Sequence, residues 1–425
     1  MGGQIAGTMG RAMRLGDLRR RILITVAMFA VFRLGVHVPV PGINTSVLPT
    51  LFKAGTFFGV LNLFAGGALG VFAIFAMGVT PYINASIIMQ LLQLVIPQVE
   101  EWSKEGAEGQ KQINKWTRYG TLFLGLVQAI GLTVYLRAGG GLLHPGLWSM
   151  ATVVVVLVSG TILLMWIGEQ ITEYGIGNGI SLLIFAGIVS RLPEGVGTLF
   201  NYVRAHVVNI FDLVIFLIIA FFVIAAVVAV TQAARRVPVH YAKRVVGRRM
   251  YGGASSYIPL RVNQAGVIPV IFALSVLTVP LTLGQFFKNA KWLSAAAVFL
   301  TGNVFWYEMA SAVLVIAFTF FYTNIVWNPN DVADNIRKQG GFIPGLRPGR
   351  PTAEYLTRVL GRITVLGALF LAAVTVLPAV LSPLTHIPNM PFGGTALLIV
   401  VGVALDTMMQ IEGHMLMRHY QGFIR

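Results

Sequence analysis

Ten apolar runs, most of them long enough to cross a bilayer as a helix, decide what this chain is able to become. A helix rises about 1.5 Å per residue and needs about 20 apolar residues to cross roughly 30 Å of hydrocarbon. The spans expected on that measure lie near 22–38, 71–96, 118–137, 150–168, 180–191, 210–231, 264–285, 305–327, 363–381 and 393–411. The fifth is short. An even count puts both termini on one side. Only 11% of the 425 residues are charged, against roughly 25% in a soluble domain. Lipid is therefore part of the solvent, and the expected fold class is an all-α integral membrane protein.

The charges orient it. With the N-terminus taken as cytoplasmic, inside segments outweigh outside segments in Lys and Arg by about four to one, as the positive-inside rule requires. The turn at 169–179 breaks the rule mildly, with Glu169 and Glu173 and no basic residue. Much of the basic charge sits in two loops. The first, 232–262, carries Arg235, Arg236, Lys243, Arg244, Arg248, Arg249 and Arg261. The second, 328–362, carries Arg337, Lys338, Arg347, Arg350, Arg358 and Arg362. Both are too long and too basic for plain connectors. Clustered arginine suits anionic lipid, nucleic acid or acidic protein.

The stretch from Phe57 to Pro97 is too long for one span and short for two. Gly66, Gly67 and Gly70 interrupt it. Two readings fit. One is a short half-helix, a glycine break and a full span from about Val71; irregular backbone at that depth survives only inside protein or beside water. The other is an interfacial helix on the outer surface. Five spans precede the external loop at 191–209 and five follow it, which suggests two related halves.

Several chemistries are missing. There is no cysteine, hence no disulfide and no thiolate metal site. There is no GxxxxGK[ST] phosphate loop and no HExxH. His414 and His419 are badly placed to share a metal, so no metal or cofactor is expected and no enzyme activity either. Ionisable residues within spans are few and include Arg33, placed to snorkel; Glu308; and Asp406, expected to pair with a neighbour or with water. Ser86, Gln90 and Gln93 share one face of the second span, and Asn263 and Gln264 open the seventh. Such amides are either glue between helices or a weak seam able to part, at about 0.6 kcal/mol each.

The segments "VFRLGVHVPVPGI" (31–43), "NLFAGGALGVFAIFAMGVTPYINASIIMQLL" (62–92), "QINKWTRYGT" (112–121), "LMWIGEQITEYGIGNGISLLIFAGI" (164–188), "NQAGVIPVIFA" (263–273), "NPNDVADNIRKQGGFIPGLRPG" (328–349) and "FGGTALLIVVGVALD" (392–406) occur in this order. Together they resemble the SecY family, the channel subunits of the bacterial Sec protein translocon. The resemblance runs from the first span to the last.

It implies ten spans in two pseudo-symmetric five-helix halves, 1–190 and 210–425, hinged at 191–209 around a central pore. It implies a pore ring of Val79, Ile83, Ile180, Ile184, Ile271 and Ile399, an aliphatic constriction able to dewet. Val79 departs from the isoleucine often found there. A plug at about 57–70 includes Phe57, Leu61, Asn62, Phe64, Gly66 and Gly67. Ser86, Gln90 and Asn263 match a lateral gate. The basic loops match docking surfaces for the motor ATPase SecA and the ribosome, through Arg235, Arg236, Lys243, Arg244, Arg248, Arg249 and Arg347. SecE and SecG small subunits, signal sequences, translocating polypeptides and the bacterial cytoplasmic membrane complete the expected setting.

A rival reading is a secondary transporter of a small solute. It calls for several carboxylates near mid-membrane, and the spans are nearly without them. An intramembrane enzyme or lipid-handling scaffold needs a catalytic constellation that does not assemble here.

Overall fold

The computed structural model describes residues 16–51, 62, 65–241, 244–246, 249–251, 255–286, 304–385, 387 and 393–421. In chain order the helices are α1 (Gly16–Val36), α2 (Leu48–Leu51), α3 (Thr80–Val95), α4 (Pro97–Lys104), α5 (Ala107–Ala138), α6 (Leu147–Tyr174), α7 (Gly179–Ser190), α8 (Leu192–Arg204) and α9 (Ile210–Gln232). After the strands β1 (Ala234–Tyr241), β2 (Arg244–Val246), β3 (Arg249–Tyr251) and β4 (Ser255–Arg261) come α10 (Ile268–Phe286), α11 (Val304–Val326) and α12 (Pro329–Lys338). β5 (Gly341–Phe342), α13 (Arg350–Thr385) and α14 (Gly394–Gln421) complete the order. Each of the ten expected spans falls on one of these helices: α1, α3, α5, α6, α7, α9, α10, α11, α13 and α14.

Four boundaries differ from expectation, each for a local reason. The second span does not begin near Val71. Residues 65–79 are a run of turns, and the helix starts only at Thr80, where Pro81 sits in its first turn. Glycines with positive φ at 66, 67 and 78, together with Phe72 at φ 48, keep that run irregular. It is not an interfacial helix. Ala65, Ala68, Leu69, Phe72, Ala73 and Phe75 are all buried, and the amides of Val40 and Ile74 bond across to Phe72 and Val38. Irregular backbone at membrane depth is thus enclosed by protein.

The second span also ends in a corner. Ile96 is extended, as a residue before proline prefers, and α4 leaves α3 at 102°. The seventh span begins at Ile268, so Asn263 and Gln264 lie in the turn before it, where Gly266 has φ 64. The stretch 191–209, expected as a loop, is mostly α8. Pro193 lies in the first turn of α8, and Glu194 and Arg204 sit at the ends that the helix dipole favours. The short α7 and α8 together make a 26-residue apolar stretch, Gly179–Arg204.

The acidic turn between α6 and α7 loses its anomaly in three dimensions. Arg118 of α5 grips Glu169 with two bonds, Nε to Oε1 at 2.8 Å and Nη2 to Oε2 at 2.9 Å. Arg21 of α1 donates to the carbonyl of Gly175 at 3.2 Å. The missing positive charge arrives from neighbouring elements.

The two basic loops are not separate. β1 pairs antiparallel with β4, from Ala234↔Arg261 to His240↔Ser255, and with β5 at His240↔Phe342 and Tyr241↔Gly341. The result is a three-stranded sheet in the order β4-β1-β5. Along β1, Val237 and Val239 point inward while Arg235, Arg236 and His240 face out. The inward face packs with Leu260, Ile336, Ile343 and Leu356. One small core therefore joins both loops to α12 and α13.

Candidate functional site: an aliphatic collar under a buried strap

The expected ring residues come from four elements. Val79 caps α3 and Ile83 follows one turn on; Ile180 and Ile184 lie one turn apart on α7; Ile271 sits in the first turn of α10, and Ile399 on α14. Val79, Ile83, Ile184, Ile271 and Ile399 are buried in one hydrophobic cluster, and partly buried Ile180 packs against it. Ile180 also leans toward α6, where a β-carbon on Gly168 would meet its Cδ1 at 2.5 Å. Aromatic rings buttress the cluster: Phe32 stacks on Phe75 at 6.0 Å, and Phe272 meets Phe318 edge-on at 5.9 Å. An aliphatic closure of this kind resists water and ions by dewetting.

Of the expected plug residues, Phe57, Leu61 and Phe64 lie outside the described residues. Asn62 is buried. Its Oδ1 accepts from the amide of Gly70 at 2.8 Å, and its carbonyl accepts from the amide of Gly67 at 2.9 Å. That closes a tight loop around Gly66 and Gly67. Ala65 and Ala68 reach into the same cluster as the ring. The strap at 65–79 therefore lies directly against the collar.

Sequence reasoning gave Arg33 a snorkelling role and missed its contacts. Its guanidinium donates to Ser190 Oγ at 3.3 Å and reaches the carbonyl of Gly66 at 3.5 Å. It stands between the strap and the end of α7. No sequence pattern links positions 33, 66 and 190.

For the expected gate, α3 packs directly on α10. Gln90 Nε2 donates to Ser86 Oγ at 3.4 Å, a long bond within α3. Among the described residues, Gln90 Oε1 and Asn263 Oδ1 are buried without a hydrogen-bond partner, as are Asn84 Nδ2 and Ser311 Oγ. Each such orphan costs about 1–3 kcal/mol. Asn84 and Ser311 were not singled out from sequence; a polar side chain within an apolar run was the available signal.

On the basic surface Arg235, Arg236 and Arg347 are exposed. Arg236 lies over the Tyr257 ring, 4.8 Å from its centre. Arg347 stands between Gly345 and Gly349, both with positive φ, and its carbonyl accepts from Thr352 Oγ1 at 2.9 Å. Among the described residues its guanidinium has no ion pair. Lys243 and Arg248 lie outside the described residues; Arg244 and Arg249 fall on β2 and β3.

A cavity of about 370 Å³ lies where the α6–α7 turn, the approach to α10 and the second half of α14 meet. Asp406 and Arg261 line it. Arg261 is the charged neighbour that acts on Asp406, although no ion pair closes between them among the described residues.

This architecture is that of a multi-pass membrane protein whose helices pack around a buried aliphatic cluster. A sequence model of the SecY family matches residues 73–408, and the chain belongs to that family. It is 47% identical to the "Protein translocase subunit SecY" of Halalkalibacterium halodurans over 428 residues, covering 98% of this chain and 99% of that one. Its fold is similar to a solved SecY structure, described by how the plug domain stabilises the closed state of the translocation channel and maintains a membrane seal. The TM-score there is 0.65 at 20% identity, over 92% of this chain and 91% of that one. It is also similar to Sec61 in the canine ribosome–channel complex from the endoplasmic reticulum, with a TM-score of 0.60 at 18% identity over the same shares.

Proposed function

We propose that this chain is the protein-conducting subunit of a translocon. It passes unfolded secretory polypeptides through the collar and releases apolar segments sideways between α3 and α10. The observation that carries this reading is the collar itself: aliphatic residues from α3, α7, α10 and α14 in one buried cluster, with the strap at 65–79 packed against them. Such a ring yields around any side chain and offers none of them a fixed charge to bind. The solute-transporter alternative calls for several carboxylates near mid-membrane, and the spans hold few.

Within this reading, residues 1–190 and 210–425 form two halves about α8. The plug closes the outer funnel. The amide oxygens of Gln90 and Asn263, unpartnered among the described residues, make the α3–α10 seam inexpensive to part. Without a phosphate loop in the chain, the driving force comes from outside, from SecA or the ribosome docking on the basic sheet and the Arg347 tip. Arginine forks suit polyanionic RNA and acidic protein surfaces alike. SecE and SecG would cover apolar flanks of the bundle, in a bacterial plasma membrane with both termini inside.

The deciding experiment places a photo-crosslinker at Ile83 or Ile271 in reconstituted complexes holding a stalled precursor. Crosslinks to the precursor are expected. Their absence at every ring position would reject the path through the collar.

A further inference from the structure

The cavity beside the collar has a chemistry that the channel reading alone does not explain. Arg261 is the last residue of β4, so the cavity opens on the face that carries the basic sheet. That face is strongly cationic, yet the cavity holds a carboxylate. Asp406 is the only acidic residue of its lining. Among the described residues Asp406 makes no ion pair and no hydrogen bond. Opposite it stands Gly266, at φ 64, where even a β-carbon would lie 3.7 Å from Oδ2. The absence of a side chain there leaves room beside the carboxylate.

Position matters as much as charge. The lining belongs to the elements that carry the collar: Asn178 and Ser181 at the start of α7, Gly266 just before α10, and Asp406 on α14. An apolar segment entering the collar from this face keeps its lysines and arginines on this face, because cationic flanks resist crossing. The surrounding basic surface repels such a flank. Asp406 is the local exception. Its cavity partly excludes water, which strengthens an ion pair beyond that of an open surface. We propose that Asp406 is a specificity-determining residue that binds the lysine or arginine flank of an entering apolar segment and so fixes its orientation. Arg261, lining the same cavity, competes for the carboxylate and keeps the contact reversible.

The proposal rests on the channel reading, and one experiment separates the two. Reconstituted complexes are given precursors that differ only in the flank of their apolar leader: two lysines, two glutamines or two glutamates. Transport of the lysine and glutamine precursors by the unaltered chain tests the channel reading alone, and failure of both would sink that reading and this one together. The proposal predicts that Asp406→Asn lowers the lysine-to-glutamine rate ratio by roughly threefold to fivefold, the scale of one partly screened ion pair. The glutamine precursor should move at its original rate. Asp406→Glu should restore the ratio, and Asp406→Lys should favour the glutamate flank. An unchanged ratio in Asp406→Asn, or an equal fall for all three precursors, would overturn the proposal while leaving the channel reading standing.

Discussion

Gly66 of the strap and Gly187 of α7 meet backbone to backbone: a β-carbon on Gly66 would lie 3.1 Å from the Cα of Gly187. Phe32 closes the other side, with its ring tip 3.2 Å from the same point. Gly66→Ala would suffer twice, from that contact and from a left-handed backbone at φ 65 that costs an L-residue about 1–2 kcal/mol. The strap should lift from α7. Ion leak through reconstituted complexes is expected to rise in Gly66→Ala, and to a lesser degree in Arg33→Ala. Leak indistinguishable from the parent chain in both would refute the seating of the strap described above.

The collar makes a second prediction. Ile184 and Ile399 are fully buried. An asparagine at either position would carry an amide into the closed ring at a cost of about 1–3 kcal/mol. The closed state should weaken, with conductance rising in Ile184→Asn and Ile399→Asn. Ile184→Leu, which conserves volume, should stay tight. Equal conductance in all three would mean that the cluster is mere packing.

The gate prediction runs in the less familiar direction. Among the described residues, Asn263 Oδ1 and Gln90 Oε1 have no hydrogen-bond partner. Replacing either side chain with an apolar one of similar size removes a penalty of about 1–3 kcal/mol from the closed form. Asn263→Leu and Gln90→Met should therefore hold the seam shut. Precursors with weakly apolar leaders should be transported more slowly, while strongly apolar leaders tolerate the change. Faster transport of the weak leaders would invert the sign and defeat the argument.

The shared sheet ties distant parts of the chain together. Val239, almost fully buried, belongs to the core that joins β1 to β4 and β5. Val239→Asp buries an unpaired charge there and should release both basic loops at once. Limited proteolysis reads this directly: cleavage should increase together near 244–254 and near 343–349. Cleavage confined to the first region would show that the loops are independent.

Arg347 tests docking without disturbing that sheet. Its side chain is exposed and, among the described residues, unpaired. Arg347→Glu should leave the chain inserted and its loops protected, yet slow motor-driven export by an order of magnitude or more. Normal export in a correctly inserted variant would remove Arg347 from the docking surface.

Much of this organisation is legible in the residues. A span needs only enough consecutive apolar side chains, so α5, α6, α9 and α11 can be read directly. The ring residues are legible only by resemblance, since an isoleucine facing a collar and one facing lipid look the same in one dimension. The gate amides stand out because polar groups are rare in spans. The Arg33–Ser190 contact and the sheet between the basic loops leave no such trace. Each depends on residues far apart in the chain, and short polar strands carry little periodic signal.

Sequence alone determined that this chain is built from apolar runs of membrane-spanning length and that its basic residues gather in two long segments between them. Hydropathy and charge act locally, one residue with its solvent, so they can be read without a fold. Tertiary structure decided the rest. It enclosed the irregular strap so that its backbone finds partners away from lipid, supplied Arg118 to the acidic turn at Glu169, and stitched two loops into one sheet. It also set Asp406 in a cavity beside Arg261 without closing an ion pair between them among the described residues. These are pairings between distant segments, and only the packed chain fixes which groups meet and which are left over.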